Sequence, residues 1–368
     1  MRTAAFVMLS SSLICCLRQS AATAATADAP VWNQAAAAAY LDNREAWWSG
    51  WDQSVRDHDT HCVSCHTAVP YALARPVLRN AMGEKAPVAP ENALFAGVTK
   101  RVTLWNEVEP FYPDKTRGVP KTAESRGTEA VMNALILVSR DALNNSLSKE
   151  SQTALDNMWA LQLKDGDTAG AWTWLNFHNA PWEGEESQFW GATLGAVAAG
   201  RAPESYRKQS AVQEDIKLLK AYFNRTVDAQ PLFNKAGLLW ASGELPGLLT
   251  SEQKHKLVQA LIEAQNPDGG WSTSRLGPSW KRRDNTPEET NSDGYATALV
   301  AYALKRSHAA ESPAPLNSAL GWLVKNQSGE GFWAASSLNK QRDPATDVGK
   351  FMTDAATAYA VLALEATP

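Results

Sequence analysis

Cysteine is scarce in this chain: four residues in 368, at Cys15, Cys16, Cys62 and Cys65. That sparseness excludes a disulfide-built scaffold. No apolar run reaches the ~20 residues a membrane-spanning helix needs, which excludes a membrane span. Basic charge is in deficit, with 35 Lys and Arg against 39 Asp and Glu, and this argues against nucleic acid as a partner. Alternating strand patterns, a phosphate-cradling Gly loop and a nucleophile triad are also missing. The one notable apolar stretch, Ala4 to Leu17, follows Arg2 and is cut short by Arg18. Two A-x-A sites follow it, Ala22-Thr23-Ala24 and Ala25-Thr26-Ala27, so residues 1–27 are expected to be a signal peptide. Neither Ile14 nor Cys15 is the small residue that a lipoprotein would place before its modified cysteine. Without Arg2 and Arg18 the net charge becomes −6, from 33 basic and 39 acidic residues. The remaining 28–368 reads as a single soluble domain, periplasmic or secreted.

Once that leader is discounted, both remaining cysteines lie in Cys62-Val63-Ser64-Cys65-His66. C-x-x-C-H is the attachment sequence of a c-type haem. Two thiolates would bond the porphyrin edge and His66 would ligate the iron. The expected cofactor is therefore one covalent haem c on Cys62, Cys65 and His66, with His66 as a metal ligand. Residue types able to take the sixth iron position occur at His58, His61, Met82, Met132, His178 and Met352. Two competing readings stay open: a Cys62–Cys65 disulfide, and zinc held by His61, Cys62, Cys65 and His66.

Fifteen Trp are unusual, and their positions follow a repeat. Ser251 to Gln265 reads as an apolar-periodic helix, Asn266-Pro267-Asp268-Gly269-Gly270-Trp271 as a turn, and Ser292 or Asp293 as the N-cap of a second helix through Lys305. Leu316 to Gln327, Gly329 to Trp333 and a helix from Thr353-Asp354 to Leu364 repeat the scheme. An earlier copy runs from Ser148 to Gln162, through Gly170-Ala171-Trp172, into a helix from Ser187-Gln188 to near Ala199. Three looser pairs complete the count: Gln34–Trp48 with His66–Asn80, Glu91–Glu107 with Thr122–Arg140, and Ala211–Phe223 with Pro231–Gly243. Six hairpins of twelve helices predict an all-α (α/α)6 toroid rather than an open solenoid. The second helices are expected inside the ring, because Ala192 to Ala199, Ala296 to Leu304 and Ala355 to Leu364 are nearly apolar all round. Closure would bring Met352 of the last hairpin near His66 of the first, making Met352 the first choice of sixth ligand. Asp293 and Asp354 would flank the same mouth, or serve simply as helix N-caps.

Gln265 to Trp271 and Gln327 to Trp333 both read Q-x-x-x-G-x-W, and Gln162, Gly170 and Trp172 form a third copy with an insertion. These resemble the repeats of squalene–hopene cyclases and their prenyltransferase relatives. The resemblance implies the toroid, with Gln and Trp tying neighbouring hairpins together. Cyclases of this type use an acidic D-x-D-D at an inner-helix start, which this chain lacks; Asp165-Gly166-Asp167 lies in a turn instead. Prenyltransferase zinc would need a cysteine outside the pentapeptide. The expected function is thus an exported monohaem cytochrome-like protein on a terpenoid-cyclase-like toroid, serving electron transfer or periplasmic redox chemistry. Its partner would be a redox protein or a small molecule, with an apolar ligand in the cavity also admitted. The alternative is a cyclase-like enzyme or an apolar-lipid binder using that cavity, although the missing D-x-D-D counts against cyclisation. Two loops stand beside these readings. Trp280-Lys281-Arg282-Arg283, with Pro287-Glu288-Glu289 after it, reads as solvated surface or a lid. Trp182-Glu183-Gly184-Glu185-Glu186 reads as an exposed acidic loop or as paired carboxylates for acid–base chemistry.

Overall fold

A helix whose every face carries Ala, Leu, Val or Thr has no side to offer water and must be surrounded by protein. Ala192–Ala199, Ala296–Leu304 and Ala355–Leu364 are of that kind, and the computed structural model places each in the second member of a helical hairpin. It describes Met1 and residues 31–309 and 312–365; beyond Met1, the expected signal peptide lies outside the described residues. The first hairpin is α1 (Gln34–Gly50) with α2 (Ala68–Ala81). The second is α3 (Ala89–Thr103) with α5 (Lys121–Ala142), separated by the short turn α4 (Asp114–Arg117). The third is α6 (Lys149–Ala160) with α7 (Ser187–Arg201). After the short α8 (Glu204–Arg207) come α9 (Ser210–Thr226) and α10 (Leu232–Glu244). The fifth hairpin joins α11 (Ser251–Glu263) to α13 (Gly294–Ser307), with α12 (Thr273–Leu276) in its loop, and the sixth is α14 (Ala314–Asn326) with α15 (Phe351–Glu365). The all-α expectation holds among the described residues. Its one exception is a tiny antiparallel ladder of β1 (Val55–Arg56) and β2 (Thr60–His61) in the first hairpin's loop.

The inner helices close a ring. α2 packs on α5, α5 on α7, α7 on α10, α10 on α13, α13 on α15, and α15 back on α2. Burial follows: Gly127–Ser139 of α5, Gly294–Leu304 of α13 and Met352–Ala363 of α15 are buried without interruption. Aromatic rings fill the centre. Tyr359 lies 5.7 Å from Tyr295 and 6.4 Å from Tyr302, which is 5.4 Å from Trp240. Towards the C-terminal ends of the inner helices the ring opens into a cavity of about 500 Å³, lined by Ala72, Ser139, Arg201, Glu244, Tyr302 and Leu362, one from each inner helix.

The three Gln–Gly–Trp copies act alike. Gln162 Nε2 donates to the Gly170 carbonyl and to the Asp215 carbonyl of α9. Gln265 does the same with Gly269 and Pro315 of α14. Gln327 bonds Gly331 and Asn33, the N-cap of α1, so the last hairpin is pinned to the first. Each copy's indole reaches back to its own outer helix: Trp172 to Met158, Trp271 to Leu261, Trp333 to Leu323. These Trp hold outer helix, turn and inner helix as one unit.

Chain direction sets which end of the ring carries the site. Every inner helix starts at the same end, and the loops entering five of them are long: 51–67, 104–120, 161–186, 264–293 and 327–350. Connections at the opposite end are short, such as 143–148 and 245–250. Long loops are where a helical ring can gather polar groups around a mouth.

Candidate functional site

The pentapeptide sits where α2 begins. Cys62 is held by its backbone, its N–H donating to the Ser54 carbonyl and its carbonyl accepting from the Trp48 indole. Ser64 Oγ accepts from the N–H groups of Thr67 and Ala68, starting the helix. Both thiols are free. Burial pushes Cys62 up from its ordinary value, and pushes Cys65 well up with help from the Glu183 charge. They are protonated, weakly nucleophilic thiols at neutral pH.

His66 lies in an aromatic box: its ring stacks on Phe351 at 3.7 Å and meets the Trp48 ring edge-on at 5.0 Å. Behind it, Asp354 accepts from Arg44 (Nε, 2.7 Å; Nη2, 3.0 Å), from Tyr40 Oη (2.8 Å) and from Thr67 Oγ1 (2.8 Å). Because Thr67 spends its proton on this carboxylate, its oxygen must accept from His66 Nδ1, 2.8 Å away. The tautomer is thereby set, and Nε2 is left with its lone pair. Burial, then Arg44 and Arg342, lower the His66 pKa to about 3, so the ring stays neutral. Asp354 is thus no N-cap: it lies one turn inside α15 and is almost wholly buried on Arg44. Asp293 is a true N-cap, accepting from Tyr295 and Ala296 N–H and also from Thr273. Arg44, Tyr40 and Thr67 were not singled out in the sequence. An Arg-Glu pair facing inward on α1 was their available signal.

The loop before α7 brings a carboxyl to the same mouth. Asn179 and Glu183 exchange backbone hydrogen bonds across a one-rung turn. Trp174 Nε1 holds the Trp182 carbonyl, and Trp182 Nε1 donates to Tyr295 Oη of α13. Asn339 Nδ2 donates to the Ala180 carbonyl and Arg283 to Asn179 Oδ1, so loops of the fifth and sixth hairpins brace this turn. Burial raises Glu183 from about 4.5 to about 7. Glu183, Cys65, His66, Trp182, Arg342 and Met352 line one cavity of about 150 Å³. In the loop around Trp280, Lys281 and Arg283 are exposed as expected, whereas Trp280 and Arg282 are buried, and Arg282 binds the carbonyls of Ser337 and Pro287. Glu185, by contrast, is exposed beside His178.

The structure brings together some of the expected ligands. Met352 shares the cavity with His66, and Met132 Sδ lies 3.7 Å from Cys65 Sγ. His58 pairs with Asp57, His61 with Ser54, His178 with Glu185, and Met82 follows the far end of α2. Cys62 lines one cavity, and Cys65 with His66 another. No group of three or more His, Cys, Asp or Glu able to hold a metal ion occurs among the described residues.

No family model matches the chain, and no curated protein matches it. Among solved structures it is similar to glycosidase variants. Two have 11% identity with TM-scores of 0.47 and 0.49, and a third, in complex with glucose, has 12% identity and a TM-score of 0.48. Each alignment covers 91% of this chain and 98% of the other. The matched names are neither cytochromes nor terpenoid cyclases. The electron-transfer cytochrome expectation and its cyclase or apolar-lipid alternative have no counterpart among these matches, which are named glycosidases, and are not carried further.

Proposed function

We propose that the chain is a hydrolytic enzyme acting by acid–base chemistry on a small, hydroxyl-rich substrate of the size of a sugar ring, with Glu183 as the acid. The observation that carries this reading is the placement of Glu183 as the one carboxylate among the described lining residues of a mouth cavity closed by long loops. Around it stand aromatic surfaces from Trp182 and Phe351 and polar groups from Asn179, Asn339 and Arg342. Such a mixture suits a ring with apolar faces and hydroxyl edges. A carboxyl with pKa about 7 is half protonated at neutral pH, where general acids work best.

In this reading Glu183 gives its proton to the leaving oxygen as the bond to carbon breaks. Water supplies the oxygen that replaces it, and its lost proton passes to solvent, from which Glu183 is recharged. His66 is neutral and its Nε2 makes no hydrogen bond among the described residues, so it can orient the water or a substrate hydroxyl without carrying charge. Aryl glycosides whose leaving phenols span a range of acidity test the assignment. Glu183→Gln is expected to lower kcat by about 10²–10⁴ on methoxyphenyl glycosides and far less on nitrophenyl ones, which leave without protonation. Absence of turnover on every glycoside, or an equal loss across leaving groups, would overturn it. Intact mass of the same preparation reports covalent haem, and a haem-sized increment would replace this reading with a different site.

A further inference from the structure

A second cavity, of about 390 Å³, lies outside the ring between α1, α3 and the loop carrying β2. It has apolar walls from Trp48, Val63, Leu94 and Val98, and polar lining from Ser49, Asp59, His61 and Lys100. Trp48 spends its N–H on the Cys62 carbonyl, so only its ring is left to meet an occupant. One lining carboxyl is deeply buried. Glu45 is 2% exposed, and its Oε2 has no hydrogen-bond partner. An unpartnered buried carboxyl oxygen is costly, and such groups in native proteins call for an explanation. Burial and the nearby Asp354 charge push Glu45 well above the usual carboxylate range, so it carries a proton and can donate it.

We infer that this side cavity binds a neutral, largely apolar small molecule bearing a carbonyl or ether oxygen, which accepts a hydrogen bond from Glu45. The volume falls within the ~300–1,000 Å³ of small-molecule sites, and a few placed polar groups among apolar walls are their usual composition.

The neutral naphthyl ketone prodan, whose emission shifts to the blue in apolar surroundings, serves as the probe. The full chain is expected to bind it saturably with that shift. Glu45→Leu removes the donor and should weaken binding about 3- to 10-fold, the equivalent of one net hydrogen bond. Glu45→Gln keeps a donor and should stay within about threefold of wild type. Gly97, in the middle of α3, lines the cavity and has open space where a Cβ would sit, so Gly97→Leu should fill the site and weaken binding more than tenfold. Circular dichroism on each variant confirms that the ring is intact. No saturable binding by the wild type, or binding unchanged by Glu45→Leu or by Gly97→Leu in a folded protein, overturns the inference.

Discussion

His66 and Glu183 share one cavity and pull stability in opposite directions as pH changes. His66 titrates near 3 in the folded chain against about 6.5 when free, so between those values the unfolded chain binds more protons and stability rises with pH. Glu183 titrates near 7 instead of about 4.5. There the folded chain binds more, and stability falls as pH rises through that window. Between about 4.5 and 6.5 the two slopes oppose each other. Differences in Tm between wild type and variants separate them. Glu183→Gln should gain on wild type as pH climbs from 4.5 to 7, and His66→Asn should gain as pH falls from 6.5 towards 3. Parallel Tm curves for all three proteins would show that neither group is shifted. The C-x-x-C-H spelling could not reveal this, because it names the atoms and not what surrounds them. Phe351, Thr67 and Asp354 arrive from sequence-distant elements or carry no motif. The acidic loop was visible as a possible acid–base element, but not that Glu183 turns inward while Glu185 stays in water.

At the scale of elements, the Gln–Gly–Trp turn is the unit of construction, and its glycine is the least replaceable part. Gly331 has φ of +92°, and a Cβ there would lie 2.2 Å from the Ala36 carbonyl carbon of α1. Gly331→Ala should therefore destabilise by about 2–4 kcal/mol, combining left-handed strain of ~1–3 kcal/mol with overpacking of similar size. Gly321, on the outer helix α14, has nothing within 4 Å of such a Cβ. Gly321→Ala should instead stabilise by ~0.5–1 kcal/mol. Urea unfolding of the pair measures both, and equal effects would refute the view that this turn locks one hairpin to the next. The turns were legible because a tight approach restricts composition strongly: glycine for the approach, glutamine for two carbonyls, tryptophan for a long reach with one donor. Helix ends were less so. α15 starts two residues earlier than the Thr353-Asp354 expected, because a 3-10 turn at Val348–Lys350 runs straight into it. The loop after α11 hid its burial because Arg282 reaches carbonyl partners, and carbonyls leave no mark in a sequence.

For the whole molecule, the claim that matters is closure, since an open solenoid and a ring are built of the same hairpins. Three second helices nearly apolar all round argued for the ring, and the mutual packing of all six second helices completes it from α15 to α2. Closure also places the ends of the folded part together: Gln34 Nε2 donates to Glu365 Oε1 at 2.6 Å, and Gln327 bridges to Asn33 on both its amide atoms. A ring has no privileged starting hairpin, and chain ends that already touch can be joined without strain. A circular permutant follows, with residue 365 linked to residue 32 by a short Gly-Ser segment and new ends in the short connection 245–250. It should keep the helical content of the parent and melt within a few degrees of it. Long-range pairs such as Arg44 with Asp354 become local in that permutant, while the contact of α10 with α11 becomes the long-range closure. Refolding should slow or quicken accordingly, with equilibrium stability little changed. An open solenoid joined the same way would have to bend its far ends together, and its permutant would be grossly destabilised or unfolded by far-ultraviolet circular dichroism.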